Sequence, residues 1–324
     1  MSSQLDLFGE SPEPGPAAGA SCPAARDAQL QGLAARLPPA IRLGTSSWAF
    51  SGWAGVVYDR VLPERVLSRT GLATYARHPL LRTVGLDRTF YAPIGEDEYR
   101  RHAEQVPEGF RFLVKAPQTL TAAYLFESRE PSPHFMDPAA ARELFVEPCL
   151  AGLGATAGPL VFQFPPQGRA STRDPAAFGE RLNRFLRGLP RGAIYAVELR
   201  DRELLGPETM RALADSGTRL CLSVHARMPP VQVQAAAATS LGPGPLIVRW
   251  NLHAGFGYEE AKSRYAPFDR LVDEDPATRV AIAALCRECA ARGDEAWVIA
   301  NNKAEGSAPL TLERLARAIV EGGP

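Results

Sequence analysis

Short apolar, β-branched runs recur along this chain and alternate with longer stretches of helical spacing. The runs are Ile41–Ser46, Thr83–Asp87, Phe110–Lys115, Pro159–Phe164, Ile194–Glu198, Arg219–His225, Leu246–Asn251 and Glu295–Asn301. Helical periodicity appears over Glu64–Arg77, Gly95–Gln105, Ala139–Leu153, Pro175–Leu186, Glu203–Asp215, Pro276–Arg292 and Leu310–Val320. Eight strands alternating with helices predict an α/β fold, a single (β/α)8 TIM-like barrel over 41–324, rather than an open doubly wound sheet. The sixth helical unit is the thinnest, since Pro229–Thr239 is short and Ala-rich, and the loop His253–Asp275 is long and aromatic. No glycine-rich phosphate fingerprint follows the first strand, which argues against a dinucleotide fold and a nucleotide cofactor.

Upstream of the barrel the pattern changes twice. From Ala24 to Leu37, Leu30, Leu33, Ala34 and Leu37 share one helical face before Pro38-Pro39 stops it, so 24–40 reads as an extra short N-terminal helix and linker. Gly9 to Pro23 is rich in Pro, Ala, Gly and Ser without apolar periodicity, so 1–23 is expected to be a disordered tail. A flexible linker of that length spans on the order of 20–25 Å. Within the tail, Gln4-Leu5-Asp6-Leu7-Phe8 resembles the pentapeptide by which bacterial replication and repair proteins dock onto the sliding DNA clamp. That resemblance implies partner-binding roles for Gln4, Leu5, Leu7 and Phe8, with Leu7 and Phe8 filling an apolar pocket and Gln4 hydrogen-bonding beside it. A few apolar anchors in an extended segment give modest, reversible affinity. A chance match is the alternative.

The 324 residues are 45% hydrophobic, enough for a full core. Lys plus Arg equals Asp plus Glu at 36 each, so any contact with nucleic acid is local or made through a partner. Cys286 and Cys289 form the only closely spaced pair among five cysteines; they fall inside a predicted helix with no second pair, and read as core thiols rather than zinc ligands. No charged-then-apolar leader and no apolar run of membrane-spanning length occurs, so a cytoplasmic protein with no membrane partner is expected.

A barrel collects its chemistry at the C-terminal ends of its strands. Those ends carry Thr45, Ser46 and Trp48; Thr89 and Tyr91; Lys115; Gln163; Glu198 and Arg200; His225 and Arg227; Arg249, Asn251 and His253; and Asn301 and Asn302. Gly44-Thr45-Ser46-Ser47-Trp48 with Trp53, Thr89-Phe90-Tyr91, Val114-Lys115-Ala116, Gln163-Phe164-Pro165-Pro166, Val197-Glu198-Leu199-Arg200 and Asn301-Asn302 resemble, in order, the signatures of the DUF72 family. The resemblance spans Ile41 to Val320 and implies a TIM barrel of no established activity. It also implies pocket positions at Trp48, Tyr91, Lys115, Gln163, Glu198, Arg200 and Asn301. The chain departs from the family at Gly85 and Asp87, where Glu-x-Asn is usual, and at Ala122, where Thr-His is usual. It also lacks an aromatic in Asp201-Arg202-Glu203. Loss of that histidine leaves open whether the pocket is active.

Three chemistries suit these residues. Glu198 and Arg200 start on one face of a strand; the arginine would hold Glu198 ionised to orient a ligand, or burial would make Glu198 a general acid or base, or the two form an ion pair at the mouth. Lys115, Arg200 and Arg249 place cations around one opening. Ser307, as a cap before Pro309, begins a helix whose free N–H groups, with Asn301 and Asn302, would bind phosphate. Glu198, His225 and His253 could converge on one divalent metal. The expected catalytic group is Glu198, Lys115 and Arg200. The expected ligand-binding set is Trp48, Tyr91, Gln163, Arg249, Asn251, Asn301, Asn302 and Ser307. The function expected is an enzyme of hydrolase or lyase type, acting on an anionic or phosphorylated substrate, nucleic-acid-derived ones among the candidates, and tethered to the clamp. A non-catalytic adaptor of replication or repair is the alternative, as is a small-molecule sugar or phosphosugar hydrolase or isomerase with an irrelevant tail.

Overall fold

The computed structural model describes residues 27–126, 128–253 and 255–322. The peptide Gln4–Phe8 and the tail to residue 23 lie outside them. Eight parallel strands close on themselves: β1 (Ile41–Thr45), β2 (Leu81–Leu86), β3 (Arg111–Lys115), β4 (Ala157–Phe164), β5 (Tyr195–Leu199), β6 (Arg219–Val224), β7 (Leu246–Trp250) and β8 (Ala296–Ala300). They pair in chain order, and β8 returns to β1 through Ile41 opposite Ala296 and Thr45 opposite Ala300. This is the expected (β/α)8 barrel.

Most strand bounds differ from the sequence reading by a residue or two. β2 and β4 differ most at their starts, which are Leu81 rather than Thr83 and Ala157 rather than Pro159. The helices diverge where a local residue interrupts the ladder. The expected helix Glu64–Arg77 breaks at Gly71 into Glu64–Thr70 and Leu72–Tyr75. Glu203–Asp215 is a short 3-10 turn, Arg202–Leu204, and then a helix, Pro207–Ser216, because Pro207 has no N–H to continue a ladder and fits a first turn. The long loop after β7 contains a helix, Tyr258–Tyr265. The short sixth unit, Val231–Ala237, leaves a groove of about 670 Å³ outside β6 and β7, lined by Leu220, Ala235, Leu241, Pro245 and Leu285 among others.

Two layers of core follow from the period-two alternation of strand side chains. Outward positions such as Phe112, Phe162, Val197, Leu222 and Val298 join the large cluster beneath the helices. Inward positions form a separate cluster, Leu113, Val161, Ala196, Cys221, Ile247, Trp297 and Ile299, which fills the barrel. Leu30, Leu33 and Ala34 of the N-terminal helix (Asp27–Arg36), with Leu37 just after it, are buried as their spacing predicts, and Arg82 donates to the Ala34 and Pro38 carbonyls at its end. Among the described residues no helix is long and apolar enough to cross a membrane.

Close approach of strands fixes some glycines. A Cβ on Gly44 would lie 2.0 Å from the Thr83 carbonyl oxygen, so β1 and β2 meet only because that side chain is missing. Gly44→Ala is expected to cost about 3 kcal/mol or fail to fold, because the obstacle is backbone that cannot rotate away. Urea unfolding of the variant checks this; an unchanged midpoint would show that the strands shift freely.

Candidate functional site

The alternation that fills the barrel with apolar side chains ends in polar ones at the C-terminal ends of the strands. Two residues beyond the inward Leu113, Val161, Ala196, Cys221 and Ile247 stand Lys115, Gln163, Glu198, Ser223 and Arg249. One further step of two gives Arg200, His225 and Asn251. The mouth of the barrel is therefore dictated by strand geometry rather than by loops.

Glu198 is the hub. It is fully buried, and its Oε1 pairs with Arg200 Nη2 at 2.5 Å while accepting from Ser223 Oγ at 3.0 Å and Asn251 Nδ2 at 3.1 Å. Its Oε2 accepts from Arg249 Nη1 at 2.8 Å. Burial by itself would raise the Glu198 pKa, but Arg200, Arg249 and Lys115 override it and bring it to about 2. Glu198 is thus ionised at neutral pH, which favours the orienting and ion-pair readings over a general acid.

Arg249 crosses the barrel. Its Nη2 reaches Asp87 Oδ2 at 2.5 Å, so one guanidinium joins a carboxylate on β5 to another just past β2. Burial works against its charge, yet Asp87 and Glu198 more than compensate, and its pKa is raised above the usual arginine value. Both terminal nitrogens are committed within the protein and the side chain is 2% exposed, which leaves it little to offer a ligand. Asp87, one of the departures from the family pattern, is what completes this bridge. Its other oxygen, Oδ1, is buried without a hydrogen-bond partner.

Lys115 is held differently. Its Nζ sits 3.5 Å from the centre of the Phe90 ring, and no ion pair or hydrogen bond engages it among the described residues. Its backbone carbonyl lies 2.5 Å from Thr89 Oγ1. Burial lowers the amine to about 7; Asp87 and Glu198 pull upward, and Arg249 and Arg200 push further down. Lys303, just past β8, is a second such amine. It lies 4.4 Å over the Tyr258 ring and is lowered to about 8, by burial first and then by Lys262. Around them stand the exposed aromatics Tyr91, Phe126 and Tyr258. Tyr91 and Phe126 both contact the ring of Phe90, at 5.6 and 6.0 Å between centroids.

Other expected residues lie elsewhere or do other work. Gln163 is buried opposite Glu198 in the β4–β5 register. Trp48 is buried, donates its Nε1 hydrogen to the Leu67 carbonyl and packs edge-on against His102, so it belongs to the wall under the helices. Asn301 is half-buried and donates to Ser46 Oγ at 2.8 Å. The cap of the last helix, Ala308–Glu321, is corrected: the Ser307 hydroxyl makes no hydrogen bond, and Asn302 Oδ1 accepts from Ala308 N as well as from Trp53 Nε1. That helix start is buried throughout, from Asn302 to Pro309, so its N–H groups do not open onto the mouth.

Glu198, His225 and His253 do not converge, since no group of three His, Cys, Asp or Glu among the described residues is placed to hold a metal ion. Glu198 is drawn inward by its arginines. His225 Nδ1 accepts from Arg227 N and His253 Nδ1 from Gly255 N. Burial and then Arg200 lower His225 to about 4. Asp87, Ser223 and Lys303 were not in the expected site. Ser223 is recoverable from the period of two, two residues past the inward Cys221, and Lys303 only from its place just past the eighth strand.

The fold and the site together define a (β/α)8 barrel with a charged mouth and an aromatic rim. The chain belongs to the family described as "Protein of unknown function DUF72", which matches residues 42–323. Similar solved structures include a DUF72 family protein from Enterococcus faecalis V583, 16% identical with a TM-score of 0.55, covering 86% of this chain and 97% of that one. Another, from Thermotoga maritima MSB8, is 20% identical with a TM-score of 0.54, covering 86% and 98%. At such identities the likeness concerns the fold alone. No curated protein matches by sequence.

Glu198→Gln is expected to destabilise the protein by about 3–5 kcal/mol at neutral pH, because it leaves two buried guanidiniums without their shared anion. The folded pKa of about 2 lies below the ordinary 4.5, so the wild-type advantage is full above about 4.5 and shrinks as pH falls towards 2. Urea unfolding of both proteins at neutral and acid pH tests this. A difference independent of pH would remove the charge from the account.

Proposed function

We propose that this chain is an enzyme whose active site is the barrel mouth, that its substrate carries a phosphate or carboxylate group, and that the peptide Gln4–Phe8 brings it to DNA through the sliding clamp. The observation that carries the first two parts is the pair of lysine amines. Lys115 and Lys303 are each only 9% exposed, and neither is ion-paired among the described residues. A buried cation without a protein anion is costly, and an anionic ligand relieves that cost. The exposed rings of Tyr91, Phe126 and Tyr258 suit the flat face of a sugar or a base.

Residue usage adds support. The chain has thirty-three arginines and only three lysines, Lys115, Lys262 and Lys303. Lys115 and Lys303 both feel Asp87, and Lys262 is close enough to Lys303 to lower its pKa. The buried arginines of the mouth, Arg200 and Arg249, are held in ion pairs, while the amines, which can lose their proton, collect beside them.

Sulfate keeps a constant charge near neutral pH and is a suitable probe. Both amines gain charge as pH falls through about 8 and about 7, so sulfate is expected to bind more tightly at pH 6 than at pH 9. Lys303→Met should weaken sulfate binding about tenfold, measured by calorimetry. Equal affinity in the variant would remove the anion site.

The clamp is tested by direct binding of the full chain to a purified bacterial sliding clamp, beside a Leu7→Ala/Phe8→Ala variant. Binding by the parent alone is expected. Equal behaviour of the two would detach the tail from the function and leave an enzyme of small metabolites.

A further inference from the structure

We propose that Lys115 is a reacting amine, which condenses with the carbonyl group of an aldehyde or ketone bearing phosphate or carboxylate to form an imine at the floor of the barrel mouth. This rests on the anion-binding reading above and adds the reaction and the substrate class.

The placement carries it. Lys115 is the last residue of β3 and faces inward two residues beyond Leu113, which belongs to the apolar filling. Its Nζ lies 3.5 Å from the centre of the Phe90 ring, and among the described residues no carboxylate or carbonyl oxygen holds it. Of the four oxygens on the two carboxylates that act on it, three are claimed by others: both Glu198 oxygens by Arg200, Arg249, Ser223 and Asn251, and Asp87 Oδ2 by Arg249. A lysine serving as an ion-pair partner would occupy one of those oxygens. Lys115 occupies none of them and lies among guanidiniums that disfavour its charge.

The protonation state agrees with that placement. An ordinary lysine at pH 7 is unprotonated in roughly one molecule in three thousand, and only the unprotonated amine is a nucleophile. Burial and the two arginines bring Lys115 to about 7, so about half is reactive at neutral pH. Arginine cannot do this chemistry, because its guanidinium keeps its proton.

The step balances without a redox partner. The Nζ lone pair forms a bond to the carbonyl carbon as the C=O π bond breaks, and a proton passes from nitrogen to that oxygen. The carbinolamine then expels the oxygen as water, taking up one solvent proton, and a cationic C=N bond remains. Asp87 Oδ1, which has no hydrogen-bond partner among the described residues, can relay the proton that passes from nitrogen to the carbonyl oxygen. The C=N cation is an electron sink that eases cleavage of a bond next to the former carbonyl carbon.

The test is reductive trapping. The full chain is incubated with sodium cyanoborohydride and either glyceraldehyde 3-phosphate or an oligonucleotide carrying an abasic deoxyribose, and the modified residue is located by peptide mass spectrometry. With three lysines in the chain, the assignment is direct. The expected result is an adduct on Lys115 at least about tenfold faster than on Lys262 or Lys303, with a rate that climbs as pH rises from about 6 to about 8. It should be lost in Lys115→Arg. The probe that traps faster tells a free metabolite from a nucleic-acid source.

Neutral glyceraldehyde trapping on Lys115 as fast as the phosphorylated form would keep the amine and remove the anion requirement. Equal modification of all three lysines in the wild-type protein, with sulfate binding intact, would overturn the imine and leave the anion site standing. That comparison needs no variant to fold.

Discussion

The mouth of this barrel depends on one buried carboxylate. Glu198 is fully desolvated, and a lone buried carboxylate would neutralise itself by taking up a proton. It stays charged because Arg200 and Arg249 close on it and Ser223 and Asn251 donate to its remaining lone pairs. Arg249 then reaches Asp87 on the far side, so three strands are tied by one chain of charges. The chemistry of the neighbouring lysine follows. With the carboxylate oxygens largely occupied by arginine, Lys115 is left with the Phe90 ring, and burial beside Arg249 and Arg200 makes its charge unfavourable despite that cation–π contact.

The departures from the family pattern fit this arrangement. Where a glutamate is usual the chain has Gly85, and a Cβ there would already lie 3.3 Å from Ser46 Cα and 3.4 Å from Ile299 Cγ2. The second carboxylate comes instead from Asp87, at the strand end, where Arg249 can reach it. The position of the missing histidine, Ala122, is buried at 2% exposure, so this mouth is organised without an imidazole there.

Polar residues at the strand tips divide into two kinds that look alike in one dimension. Trp48 Nε1, Asn302 Oδ1 and the two terminal nitrogens of Arg249 bond to the protein itself: to Leu67, to the start of the last helix, and to Glu198 with Asp87. Lys115, Lys303 and Tyr91 do not. Buried polar groups must be paired, so a barrel with many polar tips uses most of them to satisfy one another. The few left over mark where a ligand would sit.

The sequence by itself determined the architecture. Eight β-branched runs separated by helical spacing admit few parallel arrangements, and the inward alternation from Ala196 to Glu198 to Arg200 placed the charged side chains at the mouth without any coordinates. The helix breaks at Gly71 and Pro207 were not read, because the continuous apolar pattern around them hid them. Tertiary structure alone decided which charges are paired. Arg249 and Asp87 are 162 residues apart, and nothing local distinguishes an arginine bonded across a barrel from one facing solvent. The same holds for Lys303, whose environment is set by a ring on the preceding loop, and for Asn302, which caps the helix in place of Ser307. Strand and helix periodicity act over a few residues, whereas desolvation and charge pairing depend on what the closed barrel brings together.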